Sequence, residues 1–300
     1  MFSGKDVTLI PKFKTLLEQA PVVTDGAWGT RLQQLGLKSG ECPDSWNIDH
    51  PEKVEQVARE YVEAGSQIIL TNTFRSNRIA LDMYGMGNKT SEINRQGVEI
   101  SKRAAGAGCL VFASLGPSGK ILLSGDVTEN ELRECFEEQA DLLKEGGADA
   151  LIIETMSDVE EARIALLAAK RTRLPVGVSM VFDSGKEKDR TMMGNTPEQI
   201  VEALTAAGAD FIGANCGQGI EGFLPICQRM RKVTTLPLWM KPNAGLPEWV
   251  DGQTVYRTTA EEFVSFADPL VRAGATFIGG CCGTSPDFIK AIRKLVKNHK

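Results

Sequence analysis

The chain has 300 residues, 42% of them hydrophobic and 24% charged, with a formal net charge of −5 at pH 7. That balance is expected of a soluble globular protein; the absence of any lysine or arginine block removes the electrostatic case for nucleic acid, and no apolar run is long enough to span a membrane. Seven cysteines scattered over so long a chain are an odd number and not a disulfide framework, so they point to a reducing cytoplasm, where clustered thiols bind metal or do chemistry.

The opening stretch, Met1-Phe2-Ser3-Gly4-Lys5-Asp6, lacks the charged-then-apolar pattern of a signal peptide. The first predicted strand is residues 22–25. From Pro51 to Ala64, the residues Val54, Val57, Ala58, Tyr61 and Val62 keep helical spacing. The end of this helix begins the first of four copies of one phrase: a helix end, a glycine stop, a short turn and a buried strand. The copies cover residues 63–70, 145–153, 206–212 and 272–278. Glycine suits the left-handed position that follows a helix, and strands apolar on both faces are those of a parallel sheet covered by helices. Further strands at 110–114, 176–181 and 238–241 bring the number to eight. Ser157 with Glu160, Thr196 with Gln199, and Thr259 with Glu262 each fit a capping box. Pro197 and Pro286 fall at first helical positions. Eight strands alternating with helices predict one (β/α)8 barrel domain over residues 1–300.

Such barrels build their sites at the C-terminal ends of the strands. Those ends gather Asp25-Gly26, Thr71-Asn72-Thr73, Ser114, Glu154-Thr155, Met180, Asn215-Cys216, Lys241-Pro242-Asn243 and Cys281-Cys282. Cys216, Cys281 and Cys282 stand among glycines at the ends of the sixth and eighth strands, and three converging thiols are what a zinc ion with one open position requires. Simple burial and a redox-active pair are the alternatives. Cys42, Cys109, Cys135 and Cys227 lack this setting. Zinc with three thiolates has a formal charge of +2 − 3 = −1, a poor Lewis acid for water but a good host for a fourth, soft sulfur ligand. A thiol bound there is deprotonated, whereas a free one has a pKa of about 8.5. The expected chemistry is therefore activation of a thiol as nucleophile.

Glu154 closes an apolar strand and either holds a substrate ammonium group or forms a structural ion pair. Asp25 carries the same two readings more weakly, since Asp-Gly is also an ordinary turn pair. The N–H groups of Gly26, Ala27 and Gly29 are candidate receivers of a carboxylate. Asn243 precedes a glycine turn and is a turn residue or a site residue. His50 and His299 read as surface residues, and the charged segment 182–190 as a loop or hairpin over the barrel mouth.

The motifs Asp25-Gly26-Ala27-Trp28-Gly29-Thr30, Thr71-Asn72-Thr73-Phe74, Gly116-Pro117-Ser118-Gly119, Glu154-Thr155, Asn215-Cys216 and Gly279-Gly280-Cys281-Cys282-Gly283-Thr284 span nearly the whole chain in order. In them the chain resembles the homocysteine S-methyltransferase family, a zinc-dependent (β/α)8 group. Residues 242–247 and 252–256 are most similar to the homocysteine-binding barrel of the cobalamin-dependent methionine synthase branch. The resemblance implies zinc ligands at Cys216, Cys281 and Cys282, with Glu154 and Asp25 fixing the homocysteine amino group. It also implies a substrate site that includes Gly26 and Thr73, and Asn243 as a displaceable fourth ligand. It implies a methyl group delivered by methylcobalamin. The chain stops at Lys300 after the last expected barrel helix, so it reads either as an excised fragment or as a free-standing subunit, with methylcobalamin expected on a separate corrinoid protein or module. The competing readings are a small donor such as S-methylmethionine, another thiol acceptor, or a non-enzymatic zinc or redox-sensing barrel.

Overall fold

The computed structural model describes residues 11–250 and 253–298. Met1–Asp6, Gly252 and His299, which figure in the sequence reading, lie outside them. Eight parallel strands form the barrel: β1 (Val22–Val23), β2 (Ile68–Ile69), β3 (Leu110–Leu115), β4 (Ala150–Met156), β5 (Val176–Met180), β6 (Phe211–Gly219), β7 (Leu238–Asn243) and β10 (Ala275–Ile278). A two-stranded hairpin, β8 (Glu248–Val250) with β9 (Gln253–Val255), interrupts the sequence between β7 and the following helix. The hydrogen-bonded order is β1-β10-β7-β6-β5-β4-β3-β2. The β1–β2 seam closes mostly through side chains: Gln67 N–H donates to the Val23 carbonyl at 2.8 Å, Val23 N–H to Gln67 Oε1 at 3.2 Å, and Leu70 N–H to the Asp25 carboxylate at 2.7 Å.

Period-2 alternation sorts the strand residues into two cores. Inward positions at the lower end of the barrel carry Val22, Phe112, Ile152, Phe211, Trp239 and Phe277, all fully buried in one cluster. The short helix α1 (Pro11–Leu17) plugs this end with Phe13, whose ring centroid lies 5.5 Å from that of Phe112 and 5.9 Å from that of Phe211. Outward residues such as Val23, Ile69, Val111, Ile153 and Val178 pack against the surrounding helices in the larger cluster. Two residues above the aromatic floor the same inward rows turn polar: Trp239 is followed by Lys241 and Asn243, Phe112 by Ser114, Ile152 by Glu154, and Phe211 by Gly213 and Asn215.

The helix from Pro51 ends at Glu63, as its spacing predicts. The capping boxes at Thr196 and Thr259 are present, and one at Thr128 with Glu131 was not foreseen. The Ser157–Glu160 expectation is corrected. Asp158 is the N-cap, and its carboxylate accepts the Glu160 N–H at 2.8 Å, a stronger acceptor one residue closer. Strands β4 and β6 also run past their expected ends. In each the ladder shifts register, between Ile153 and Met156 and between Asn215 and Gly219, and a non-glycine residue with positive φ sits in each shift: Thr155 and Cys216, both at 61°.

Candidate metal and substrate site

Cys216, Cys281 and Cys282 meet at the C-terminal mouth with their sulfur atoms all within 4.8 Å of one another, and the Cys216 and Cys282 sulfurs are 3.9 Å apart. Tetrahedral zinc with Zn–S bonds of about 2.3 Å places its sulfurs about 3.8 Å apart, so the cluster has the dimensions of one metal ion. The neighbouring backbone is tied down. Cys281 N–H donates to the Pro242 carbonyl at 2.8 Å, Ala244 N–H to the Cys282 carbonyl at 2.9 Å, and the Thr284 hydroxyl to the Cys281 carbonyl at 2.7 Å. Gly283, at φ 81°, turns the chain against the Tyr256 ring, where a side chain has no room.

Cys216 is presented by its bulge, which leaves it in a conformation that L-residues adopt rarely and that clusters at functional sites. Asn215 holds the bulge. Fully buried, its Oδ1 accepts from Thr155 N–H at 2.9 Å and from the Ser179 hydroxyl at 2.7 Å. Its Nδ2 donates to Thr155 Oγ1 at 2.7 Å and to the Cys281 sulfur at 3.8 Å. The two left-handed residues are thereby joined through one amide. For Cys216 the hydrogen bond with Cys281 lowers the pKa, but that with Cys282 and burial push it up to about 12.

Asn243 is the candidate for a fourth ligand. Its Oδ1 is buried without a hydrogen-bond partner among the described residues, an unusual state for an amide oxygen. A metal ion is one partner that satisfies such an oxygen, and Asn243 ends β7, the strand between those that carry Cys216 and precede Cys281.

Glu154 stands on β4, with 8% of its surface exposed, and accepts the Ser114 hydroxyl at 2.5 Å. Burial raises its pKa above the ordinary carboxylate range, against the lowering pull of the Lys241 ammonium and the Ser114 hydroxyl. Asp25 is fully buried. Its Oδ1 pairs with Lys241 Nζ, and its Oδ2 accepts from Trp28 Nε1 and Leu70 N–H, both at 2.7 Å. Burial works against the charge on Lys241, but the carboxylates of Asp25 and Glu154 outweigh it and raise its pKa. Thr73 is fully buried, its hydroxyl paired with Thr71 Oγ1 at 2.6 Å and donating to the Ser114 carbonyl at 2.7 Å. Gly26 packs where a Cβ would lie 2.8 Å from Thr284 Oγ1 and from the Tyr61 ring. The Ala27 N–H donates to Thr284 Oγ1 at 3.1 Å, which removes it from the expected carboxylate receivers.

The segment 182–190 lies on the cysteine side. Ser184 bridges to Arg190, and Gln218, two residues past Cys216, donates to the Phe182 carbonyl at 2.8 Å and the Lys188 carbonyl at 2.6 Å. Cys42, Cys109, Cys135 and Cys227 are free and buried away from the cluster, and His50 caps the Pro51 helix with a partly exposed side chain. A cleft of about 650 Å³ lined by Arg78, Lys120, Glu134 and Glu138 shares no residue with the cysteine cluster. Lys241, Asn215 and Tyr256 fall in strand ends and motifs that the sequence reading named, but it gave them no role. Lys241 had a signal, a lysine at an inward position of an otherwise apolar strand.

A parallel barrel whose mouth gathers three thiols around the volume of one ion has the ligand geometry of a metal–thiolate site. The chain belongs to the homocysteine S-methyltransferase family, whose family model matches residues 22–296. It is 29% identical over 296 residues to the methionine synthase of Mycobacterium leprae, covering 93% of this chain and 24% of that protein. It is likewise 29% identical over 301 residues to that of Mycobacterium tuberculosis, covering 95% and 25%. The chain thus spans about a quarter of the length of these curated relatives. The homocysteine methyltransferase MmuM from Escherichia coli, in its metallated form, shares the fold: the TM-score is 0.79 at 22% identity, over 95% of this chain and 99% of that one. No helix among the described residues is long and apolar enough to cross a membrane.

Proposed function

We propose that this barrel is a zinc-dependent thiol methyltransferase that methylates homocysteine to methionine, with methylcobalamin carried by a partner protein or module as donor. The observation that carries the reading is the triad of sulfurs within 4.8 Å of one another at the mouth of the barrel. Cys216, Cys281 and Cys282 would hold the metal, and Asn243 Oδ1 would be available as a fourth ligand that substrate displaces. Zinc at that position supplies one thing, an acceptor sulfur held as thiolate at neutral pH. The protein does the rest. Asn215 fixes the Cys216 bulge and the Cys281 sulfur, and Glu154 takes the substrate ammonium while Ser114 orients its carboxylate. The protein would hold the acceptor sulfur oriented toward the mouth for in-line attack, and methylcobalamin, bound by its own protein or module, would supply the methyl group.

A donor carried by a protein is favoured by the rim. Ile121 and Leu123 after β3, Met192 and Met193 after β5, and Leu246 and Trp249 after β7 are all exposed, and all lie in the connections that follow the C-terminal ends of barrel strands. Exposed apolar groups on the face that carries the site are surface a partner could cover. The test is methionine formation from homocysteine by the zinc-loaded protein, with methylcobalamin, betaine, S-methylmethionine and S-adenosylmethionine offered separately. Turnover with methylcobalamin alone is the expected result. Turnover only with S-methylmethionine would assign the small-donor alternative, and none with any donor would remove the assignment.

A further inference from the structure

Beneath the cysteines the mouth holds two carboxylates and one internal ammonium. The two carboxylates are not equivalent. Every oxygen of Asp25 is committed, Oδ1 to Lys241 Nζ and Oδ2 to Trp28 Nε1 and to Leu70 N–H. The Leu70 contact belongs to the β1–β2 seam, so Asp25 cannot turn toward a ligand without loosening the barrel. Lys241 is equally fixed: it shares the inward row of β7 with Trp239 below and Asn243 above, and its side chain is 2% exposed. Glu154 differs. Its Oε1 accepts from Ser114, while its Oε2 has no hydrogen-bond partner among the described residues.

We propose that Lys241 is a specificity-determining residue: its ammonium occupies Asp25 in place of any substrate group, so the pocket offers the acceptor thiol one carboxylate only, Glu154. The charge inventory is −1 (Asp25), −1 (Glu154) and +1 (Lys241), a sum of −1 that a single substrate cation neutralises. A substrate ammonium that competed for Asp25 would take from the buried Lys241 its hydrogen-bonded partner and leave it only the more distant pull of Glu154, and an under-compensated buried charge is destabilising. The pocket therefore selects thiols bearing one cationic group and ties that group to β4, on which Glu154 stands, away from Asp25. The proposal rests on the thiol-methyltransferase reading above but departs from the family expectation that Asp25 and Glu154 share the amino group.

The test is selectivity. Dissociation constants of homocysteine and of 4-mercaptobutyrate, the same chain without the amino group, are measured by calorimetry on the zinc-loaded protein, and their ratio is the preference. The ratio cancels any general loss of binding, so structural damage alone does not move it. Glu154→Gln should abolish the preference to within about threefold, because no second carboxylate is available; a remaining preference of about tenfold, the scale of one charge-assisted hydrogen bond, would show that Asp25 serves the substrate and overturn the proposal. Lys241→Met frees Asp25 and should raise the preference about tenfold or more. The double variant Asp25→Asn/Lys241→Met removes the pair together and should return it to the wild-type ratio. An unchanged preference in the Lys241 single variant would also overturn the proposal. If the Lys241 variants do not fold, Glu154→Gln decides alone. Failure of either thiol to bind the wild-type zinc protein would bring down the methyltransferase reading and this proposal with it. Tight binding with no dependence on Glu154 or Lys241 would bring down this proposal only.

Discussion

Asn215→Asp is the substitution that tests metal tuning by a group outside the ligand set. Aspartate keeps the shape of asparagine and keeps the Oδ1 that accepts from Thr155 N–H and the Ser179 hydroxyl. It replaces the Nδ2 donor with a negative oxygen facing Thr155 Oγ1, whose hydroxyl can rotate to donate instead, and facing the Cys281 sulfur at 3.8 Å. Two unit charges at that distance repel by about 4 kcal/mol at an effective dielectric of about 20, and zinc beside the sulfur offsets part of this. Lost outer-shell contacts typically cost about 10- to 100-fold in metal affinity, or about 1.4–2.7 kcal/mol. The expected result is a zinc affinity lower by that factor, together with a lower thermal unfolding temperature, because the new carboxylate is buried. The assay is competition with a chromophoric chelator, beside a thermal melt of the zinc-loaded protein. Zinc affinity within about twofold of wild type would refute the role given to the Asn215–Cys281 contact.

Phe13→Ala removes the plug of the barrel floor; a buried phenylalanine truncated in this way should cost about 3–5 kcal/mol in denaturant unfolding, and a loss below about 1 kcal/mol would show that α1 is not part of the core. Glu198 is paired with Arg229, which also binds Asp189 of the 182–190 segment, and the Arg229 hydrogen bond lowers its pKa to about 2. A carboxylate depressed in the fold contributes stability above its unfolded pKa of about 4.3 and loses it as pH falls toward the folded value. The pair is more than a third exposed at Glu198, so Glu198→Gln should cost only about 0.2–1 kcal/mol at pH 7. The difference from wild type should shrink between pH 4 and pH 2, followed by denaturant unfolding; an equal loss throughout would exclude an ionic origin.

The barrel was readable because its signals are local and repeated. Each helix–glycine–strand phrase carries its own stop and its own apolar run, and the four copies set the register of the rest. The cysteine site was readable for the same reason, as glycine-framed thiols at strand ends. The bulges were not, since the positive φ at Thr155 goes with a hydrogen bond to the Asn215 amide 60 residues away, and no residue type at Thr155 or Cys216 announces it. The fate of Asp25 was likewise hidden. Its partners Leu70 and Lys241 are 45 and 216 residues away along the chain, and only barrel closure brings them together. The Ser157 cap failed on competition between neighbours, because the pattern fits Ser157 while the adjacent Asp158 is the better acceptor.

The central claim is that the acceptor sulfur binds directly to a metal held by Cys216, Cys281 and Cys282. Zinc-edge X-ray absorption on the zinc-loaded protein, before and after addition of selenohomocysteine, tests it in one measurement. Before addition the spectrum should show three sulfur neighbours and one lighter oxygen or nitrogen neighbour at zinc. After addition the lighter neighbour should be replaced by selenium. Selenohomocysteine bound to the protein with no zinc–selenium contact would contradict the claim and leave the metal a structural role.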